Sequence, residues 1–284
     1  MLKAISTHIF LKQRLHAGHL ETLAHAGAEG IEVFAARQHF DYTSRQQVRE
    51  IANWFRDHSM RPWALHAPLR GDVDHERGNS PSVNVVDVEK ARRIDAMDEV
   101  KRALESAEQI PFSHMILHLG ERGQSWSPRT LENAMAAIEH LGAFARPLGV
   151  QILLENLEKN EVTEPQKLIE ILSIGHFDDI GICLDLGHAN LNEGVPSAIS
   201  TMGERILSVH VHDNKGDRDA HLWPGDGTIP WPQTMQALQA LPNPPATVLE
   251  IHRDLEFSEG PTAERLRKAF EFLDAAARTH ENNA

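Results

Sequence analysis

The sequence predicts an α/β protein that folds as a single (β/α)₈ barrel. Short apolar runs alternate with helical patterns along the chain, eight of each, and eight such units is the number that closes into a barrel. The runs are apolar throughout, which is typical of parallel strands covered by helices. The length of 284 residues fits one barrel of about 250 residues, although it would also fit two domains of about 150 residues.

The predicted elements are taken in chain order from these two patterns. The strand candidates are rich in β-branched and apolar residues. They are ISTHIF (5–10), GIEVFA (30–35), PWALHAP (62–68), HMILHLG (114–120), QILLENL (151–157), IGICLDL (180–186), ILSVHVH (206–212) and TVLEIH (247–252). Helical patterns follow the strands in turn, over 19–26, 44–57, 88–107, 130–146, 165–172, 195–202, 231–241 and 263–277.

The connections favour one domain over residues 1–284. A doubly wound open sheet is the alternative architecture, but it usually carries a glycine-rich turn after its first strand, and STHIFLKQRLH contains none. The longest connection, LRGDVDHERGNSPSVNVVD (69–87), is polar and predicts an excursion over the mouth of the barrel. The polar tail over about 278–284 is predicted to be frayed.

Composition excludes several classes of protein. The formal net charge of −13 argues against general nucleic-acid binding. No apolar stretch has the length of a signal peptide's core or of a membrane helix, so we expect a cytoplasmic protein without a membrane partner. The single cysteine, Cys183, cannot form an internal disulfide, and it lies in an apolar run that predicts burial.

Histidines and carboxylates occupy the predicted ends of the strands, which is where a barrel of this kind carries its chemistry. In chain order, these residues are His8, Glu32, His66, His118, Glu155, Asp185, His188, His210, Asp219, His221 and Glu250. Asp219 and His221 lie in the loop after the seventh predicted strand. Imidazole and carboxylate are the ligands that hold Zn²⁺, Mn²⁺ and related ions. One such histidine would more often be a hydrogen-bonded core residue. Burial of this many histidines and carboxylates at one end of the barrel would leave their charges uncompensated, which predicts a metal centre there.

The ordered set of motifs resembles the xylose-isomerase-like TIM barrel superfamily. That superfamily contains sugar isomerases and epimerases, inosose dehydratases and endonuclease IV. The motifs are LHAP, ILHLG, ILLEN, DLGHA, HVHD, DAH and LEIH, and they extend from the third strand to the eighth. PGDGTIPW (224–231) also resembles a segment of the sugar enzymes. The resemblance implies a barrel that acts on a small polyhydroxy carbonyl compound with the help of a divalent metal.

In the sugar-enzyme branch, the resemblance implies one metal ion. Its ligands would be Glu155, Asp185, His210 and Glu250. Glu155 and Glu250 would also be the two catalytic bases that move a proton through an enediolate. His188 would orient substrate oxygens, and Arg218 could do the same, although a solvated loop charge is its simpler interpretation. His8 and Glu32 would either contact substrate or hydrogen-bond a metal ligand.

In the endonuclease branch, the resemblance implies three zinc ions and a phosphodiesterase. The two further sites would use His66 and His118 with a shared Glu155, and His188 with Asp219 and His221. The sequence departs from that branch at His212, where the endonuclease has asparagine, and at Leu186-Gly187, which replaces Thr-Cys. These departures and the negative charge favour the sugar-enzyme branch.

The sequence leaves the identity and number of the metal ions open. One imidazole among three carboxylates suits Mn²⁺, Mg²⁺ or Co²⁺, whereas several imidazoles favour Zn²⁺. We therefore expect one to three divalent ions. Association into a homo-oligomer is compatible with the sequence, although no apolar helix face requires it.

Overall fold

A computed structural model of the chain describes residues 1–71, 81–252 and 262–278. Within these residues, eight parallel strands form a closed barrel in chain order, and β1 pairs with β8. The predicted fold class is confirmed. The strands are β1 Lys3–Ser6, β2 Gly30–Phe34, β3 Arg61–His66, β4 His114–His118, β5 Gln151–Glu155, β6 Gly181–Asp185, β7 Ile206–Val211 and β8 Ala246–Leu249.

The described helices follow the strands and cover the outside of the barrel. They are α1 Ala17–His25, α2 Arg45–Asp57, α3 Lys90–Leu104, α4 Pro128–Ala145, α5 Pro165–Ile174, α6 Leu186–Leu191, α7 Val195–Met202, α8 Trp231–Gln239 and α9 Thr262–Arg278. Their starts have local causes. Ser127 Oγ accepts from the Thr130 amide at 3.0 Å at the start of α4, and Pro128 occupies the first turn.

The first strand is shorter than predicted. Strand pairing ends at Ser6, and Thr7–Phe10 form a 3₁₀ helix. Ser6 Oγ accepts from the His8 amide at 3.3 Å, which turns the chain out of the sheet. The prediction of a strand over 5–10 was therefore wrong over 7–10, and His8 lies on the turn after β1.

The sixth strand ends at Asp185, one residue earlier than predicted, and the helix α6 begins at once. Asp185 Oδ1 accepts from the His188 amide at 2.7 Å and caps this helix. The helix α6 was not predicted, because the apolar run 180–186 continues past the point where the chain turns from strand to helix.

The barrel interior is apolar at its base and polar at its mouth. Side chains two residues apart on a strand share a face, so Leu153 and Cys183 lie below Glu155 and Asp185. Leu153 and Cys183 are fully buried in one small cluster with Ala64 and Ile116. The burial predicted for Cys183 is confirmed, and the functional side chains lie above an apolar floor.

The connection between β3 and β4 is described only in part. Arg70 and Ser82 form an isolated antiparallel bridge, while residues 72–80 of the predicted excursion lie outside the described residues. The predicted tail over 278–284 also lies outside them, apart from Arg278, which ends α9. Among the helices that the structure describes, none combines the length and the apolar character that crossing a membrane needs.

Candidate metal centre at the barrel mouth

Four side chains converge at the centre of the mouth. Glu155 and Asp185 end β5 and β6, His210 lies in β7, and Glu250 directly follows β8. Each offers one ligand atom, and the four atoms lie within 4.8 Å of one another. All four side chains are buried. One nitrogen, His210 Nδ1, lies 3.0 Å from Glu155 Oε1 and 3.2 Å from Glu250 Oε2. We call these four residues the central group.

Glu32 lies below the central group and not in the open mouth. It belongs to β2 and is completely buried, and its Oε2 lies 3.1 Å from Nε2 of His210. A carboxylate at that distance accepts the Nε2 proton. In a neutral ring, Nδ1 is then left as an acceptor that faces Glu155 and Glu250. The position of Glu32 agrees with the prediction that it could hydrogen-bond a candidate ligand.

A second group lies beside Glu155 and is formed by His66 and His118. These residues end β3 and β4, and their Nε2 atoms lie 3.3 Å and 2.9 Å from Glu155 Oε2. His66 Nδ1 lies 2.9 Å from the Ala67 carbonyl, to which it donates. The Nε2 of a neutral His66 therefore presents a lone pair to the carboxylate of Glu155.

A third group lies at the outer edge of the mouth, where Asp219 meets two histidines. Its Oδ2 lies 3.4 Å from His188 Nε2 and 3.1 Å from His221 Nε2. The Nδ1 of His188 lies 2.9 Å from the Asn156 carbonyl, and that of His221 lies 2.8 Å from the Glu250 carbonyl. As in His66, Nδ1 of each ring donates to a backbone carbonyl, so Nε2 of each ring faces a carboxylate.

The charges of these groups are strongly coupled. Burial alone would raise the pKa of Glu155, but His210 and His118 hold it well below its ordinary value. Burial alone would lower the pKa of His221, but the carboxylate of Asp219 raises it to about 9. The carboxylates of Glu155 and Asp219 thus stay ionised and favour positive charge on the nitrogen atoms that face them. A divalent cation would supply the same charge as the protons, so the donor set fits a metal.

A cavity of about 440 Å³ opens onto these groups. His118, His188 and Asp219 line it, together with Arg122 and Glu158. This volume is within the range of small-molecule sites. A larger cavity of about 650 Å³ lies farther out, between Arg37 and Arg102, and contains none of the residues of the three groups.

Arg218 and His8, which were also predicted for the site, are not among the members of the three groups. Arg218 is exposed in the loop after β7, which agrees with its simpler interpretation as a solvated charge. His8 packs its ring against the rings of His221 and His252, with centroids 5.2 Å and 5.0 Å away. Burial and the neighbouring histidines lower the pKa of His8, so its position suits a neutral packing partner of His221.

Sequence reasoning missed two residues of the site. His212 is completely buried, and its Nε2 lies 2.9 Å from Asp185 Oδ2. Two-residue alternation could have found it, because it places His212 on the same face as His210. Asn156 joins β5 to β6: its Oδ1 accepts from the Asp185 amide at 2.7 Å, and its Nδ2 donates to the Asp185 carbonyl at 3.0 Å. No pattern in the sequence announces that pair.

Comparison with known proteins identifies the family of the chain. The family model described as the xylose isomerase-like TIM barrel matches residues 20–276. The chain belongs to this family. The predicted resemblance is confirmed, and the matched region includes the central group and the two groups beside it.

The curated relatives of this chain include proteins with named activities. Fructoselysine 3-epimerase of Escherichia coli O157:H7 is 23% identical over 238 residues, which cover 79% of this chain and 81% of that protein. Inosose isomerase of Bacillus velezensis is 21% identical over 267 residues and covers 90% of both chains. A probable endonuclease 4 of Haloquadratum walsbyi is 24% identical over 200 residues, which cover 63% and 66%.

Solved structures share the fold over nearly the whole chain. A D-tagatose 3-epimerase-like protein superposes with a TM-score of 0.77 at 21% identity and covers 97% of both chains. The IOLI protein, whose structure is described with a binding zinc atom, gives a TM-score of 0.79 at 18% identity, again over 97% of both chains. At these identities the likeness establishes the barrel fold.

Proposed function

We propose that this protein is a divalent-metal-dependent isomerase or epimerase. Its substrate would be a small sugar, a sugar phosphate or a related polyhydroxy carbonyl compound. The proposal rests on one observation: Glu155 Oε1 and Glu250 Oε2 lie 3.0 Å and 3.2 Å from the same atom, His210 Nδ1. Relatives that include an epimerase and an isomerase of sugars and inososes support an enzyme of this kind.

The central group is the proposed site of the metal ion. Glu155, Asp185, His210 and Glu250 would hold it, with one imidazole and three carboxylates, a donor set that suits Mn²⁺, Mg²⁺ or Co²⁺. Glu32 would hold His210 in the tautomer that ligation requires. An ion bound there would polarise the carbonyl and a neighbouring hydroxyl of the substrate, which acidifies the C–H bond at the hydroxyl-bearing carbon.

Two carboxylates are then available for the proton transfer. Glu155 at the end of β5 and Glu250 after β8 reach the site from different sides of the barrel. One would accept the proton from carbon, and the other would return a proton to the opposite face, through an enediolate. His188 lines the cavity next to the central group and would orient a substrate hydroxyl.

The test is exchange of carbon-bound hydrogen. The metal-loaded enzyme is incubated in D₂O with a panel of ketoses, and deuterium uptake and product epimers are followed by NMR and chromatography. We expect Glu155→Gln and Glu250→Gln each to lower exchange by about 100-fold or more, the usual contribution of a positioned base. Glu132→Gln, on the exposed side of α4, is the matched control, and metal content is measured for every variant.

A second candidate activity is metal-dependent phosphodiester hydrolysis. It is favoured by the two histidine groups beside the central one, because several zinc ions would generate a hydroxide and neutralise phosphoryl oxygens. A probable endonuclease 4 among the relatives also supports it. Nicking of abasic-site DNA that is lost in Glu155→Gln, without exchange on any ketose, would overturn the isomerase proposal.

A further inference from the structure

The larger cavity, of about 650 Å³, adjoins the cavity of about 440 Å³ that opens onto the central group, and we call it the outer cavity. Four of the described residues line both cavities, namely Arg70, Ser82, Val83 and Glu121. Each volume is within the range of small-molecule sites. The two cavities together therefore offer room for a substrate that is longer than a simple ketose.

The outer cavity lies on the same side of the barrel as the central group. Arg37, Arg70 and Glu121, which line it, belong to the connections that follow β2, β3 and β4. These strands are neighbours in the barrel, and the connections after the strands of such a barrel lie at its mouth. The outer cavity is thus an extension of the mouth on the side of these three strands.

A buried carboxylate organises the polar wall of the outer cavity. Glu99 lines this cavity, and its side chain is 5% exposed. Its Oε1 accepts from Arg37 Nε at 2.9 Å, from Arg37 Nη2 and from the hydroxyl of Tyr42. Its Oε2 accepts from Nη1 of Arg102. Four donors thus occupy the roughly four acceptor positions of one carboxylate, so Glu99 is saturated.

Both guanidinium groups keep N–H donors for which the described part of the chain provides no acceptor. In Arg37 these donors are on Nη1, and in Arg102 they are on Nε and Nη2. The side chain of Arg37 is only 21% exposed, so its remaining donors have little access to bulk water. Two guanidinium groups share the single carboxylate of Glu99, and this part of the wall therefore has an excess of one positive charge.

The other acidic residues of the outer cavity do not offset this excess. Asp87 lies 3.9 Å from Arg92, which also lines the cavity. Asp95 and Glu121 are exposed, so water and salt screen their charges. The guanidinium of Arg37 is largely buried, and the unpaired donors beside it are where a negative group of a ligand would gain most.

We propose that Arg37 and Arg102 bind an acidic group of the substrate in the outer cavity. The substrate would be a polyhydroxy carbonyl compound that carries a phosphate or a carboxylate at a distance from its carbonyl carbon. Guanidinium groups match the oxygens of both acids with charge-assisted hydrogen bonds. This inference rests on the proposed isomerase or epimerase function, and it names the class of substrate for that site.

The test compares acidic and neutral ketoses as ligands of the metal-loaded protein. D-Fructose is paired with D-fructose 6-phosphate. A fructose joined at C1 to the nitrogen of hexylamine is paired with the same sugar joined to 6-aminohexanoate. The first pair tests a phosphate close to the sugar and the second a carboxylate farther away, so the pairs distinguish the two acids. The other ketohexoses are treated in the same way, and isothermal titration measures each Kd.

Two variants each remove one guanidinium group, Arg102→Gln and Arg37→Gln. Arg146→Gln is the matched control, because Arg146 lines neither cavity and its side chain is 67% exposed. Circular dichroism confirms that each variant is folded. The side chain of Arg102 is 52% exposed, so Arg102→Gln keeps the test decisive if Arg37→Gln does not fold.

In the wild type we expect at least one acidic ligand to bind about 10- to 100-fold more tightly than its neutral counterpart, the effect of a hydrogen bond to a charged group. Arg102→Gln should bring this ratio close to one, and Arg146→Gln should preserve it. A merely structural role of Arg102 would weaken acidic and neutral ligands alike and leave the ratio unchanged. Equal affinities of the wild type for acidic and neutral ligands, or a ratio that persists in Arg102→Gln, would overturn the proposal.

Binding and hydrogen exchange are measured separately, so the two proposals fail in different ways. Exchange on neutral ketoses without any preference for an acidic ligand would overturn the role of the outer cavity alone. A preference for acidic ligands that depends on Arg102, without exchange on any ketose or acidic derivative, would overturn the isomerase activity and retain the acid-binding role of the outer cavity.

Discussion

Glu32 Oε2 lies 3.1 Å from His210 Nε2, and both side chains are completely buried inside the barrel. The residues are 178 positions apart in sequence. In this contact His210 donates its Nε2–H to Glu32, and the other ring nitrogen, Nδ1, faces Glu155 and Glu250. The orientation of the proposed ligand His210 therefore depends on a residue of β2, which is not one of the strands that carry the central group.

Glu32→Gln tests this relationship. The amide can still accept from Nε2, but it is a weaker acceptor and carries no charge, so we expect the affinity for the central metal to fall by about 10- to 100-fold. Isothermal titration with Mn²⁺ or Zn²⁺ measures the affinity. Glu29→Gln, at an exposed position just before β2, should leave it unchanged. Equal affinities for the wild type and Glu32→Gln would contradict the assigned role.

Removal of metal should destabilise the barrel mouth. A cation that binds only the folded chain stabilises it by about 2.7 kcal/mol when its concentration is 100 times its Kd. For a chain of this size that corresponds to a fall in Tm of about 5 to 10 °C on treatment with a chelator. Differential scanning fluorimetry with and without a chelator measures the change, and re-addition of Mn²⁺ or Zn²⁺ should reverse it. A Tm that does not respond to metal would argue against the site.

Asp213 holds the loop that carries Asp219 and His221. Its buried carboxylate accepts from the amides of Gly225 and Ile229 at 3.0 Å and 3.2 Å, and from the indole N–H of Trp231 at 2.8 Å. In Asp213→Asn the amide has one accepting oxygen, so buried donors lose their partners.

We expect Asp213→Asn to lower the free energy of unfolding by about 1–3 kcal/mol, the cost of unsatisfied buried donors. Urea unfolding followed by tryptophan fluorescence measures this loss. Asp226→Asn, in the same loop but exposed, is the control and should stay within about 0.5 kcal/mol of the wild type. Similar values for both variants would show that Asp213 does not organise the loop.

The folding stability of the chain should depend on pH through Glu193, which lies outside the candidate metal centre. Burial, with a smaller contribution from the charge of Glu164, raises the pKa of this carboxyl from 4.5 to about 7. The folded state therefore favours the protonated form, and its stabilising effect is present below pH 4.5 and lost as the pH rises through 7. Glu193→Gln keeps a neutral side chain at every pH.

At pH 8 we expect Glu193→Gln to be more stable than the wild type, by at most about 3 kcal/mol. The difference should shrink toward pH 5. Urea unfolding at several pH values measures it, and Glu204→Gln, which is exposed, is the control. A difference that did not vary with pH would show that the charge of Glu193 is not its cause.

A buried ion-pair network joins α3 to the segment before α2. Glu99 is 4% exposed, and its carboxylate accepts from Arg37 Nε at 2.9 Å as well as from Tyr42 and Arg102. Glu99→Gln removes the negative charge and leaves the half-buried guanidinium of Arg37 without its ionic partner. We therefore expect the free energy of unfolding to fall by about 3 kcal/mol. Thermal and urea unfolding measure the loss. Asp98→Asn, at a side chain of the same helix that is 47% exposed, should cost less than about 1 kcal/mol.

Much of the barrel was predictable because its elements are encoded locally. The runs of apolar residues gave the eight strands in their order, and the predicted helix 195–202 coincides with α7. His66, His118, Glu155 and Asp185 are the last residues of their strands, as the sequence analysis expected. The errors are also local. The amides of His8 and His188 donate to Ser6 Oγ and Asp185 Oδ1, and these hydrogen bonds turn the chain out of the sheet before the first and sixth predicted runs end.

The sequence by itself determined the fold class, the family and the residue types at the strand ends, because periodicity and motif order are properties of nearby residues. Only the tertiary structure decided which of these residues meet. Glu32 lies beneath His210, and His212 lies between Asp185 and Asp219, because closing the barrel sets the register of each strand against its neighbours. Register depends on contacts across the whole chain, and no local pattern contains it.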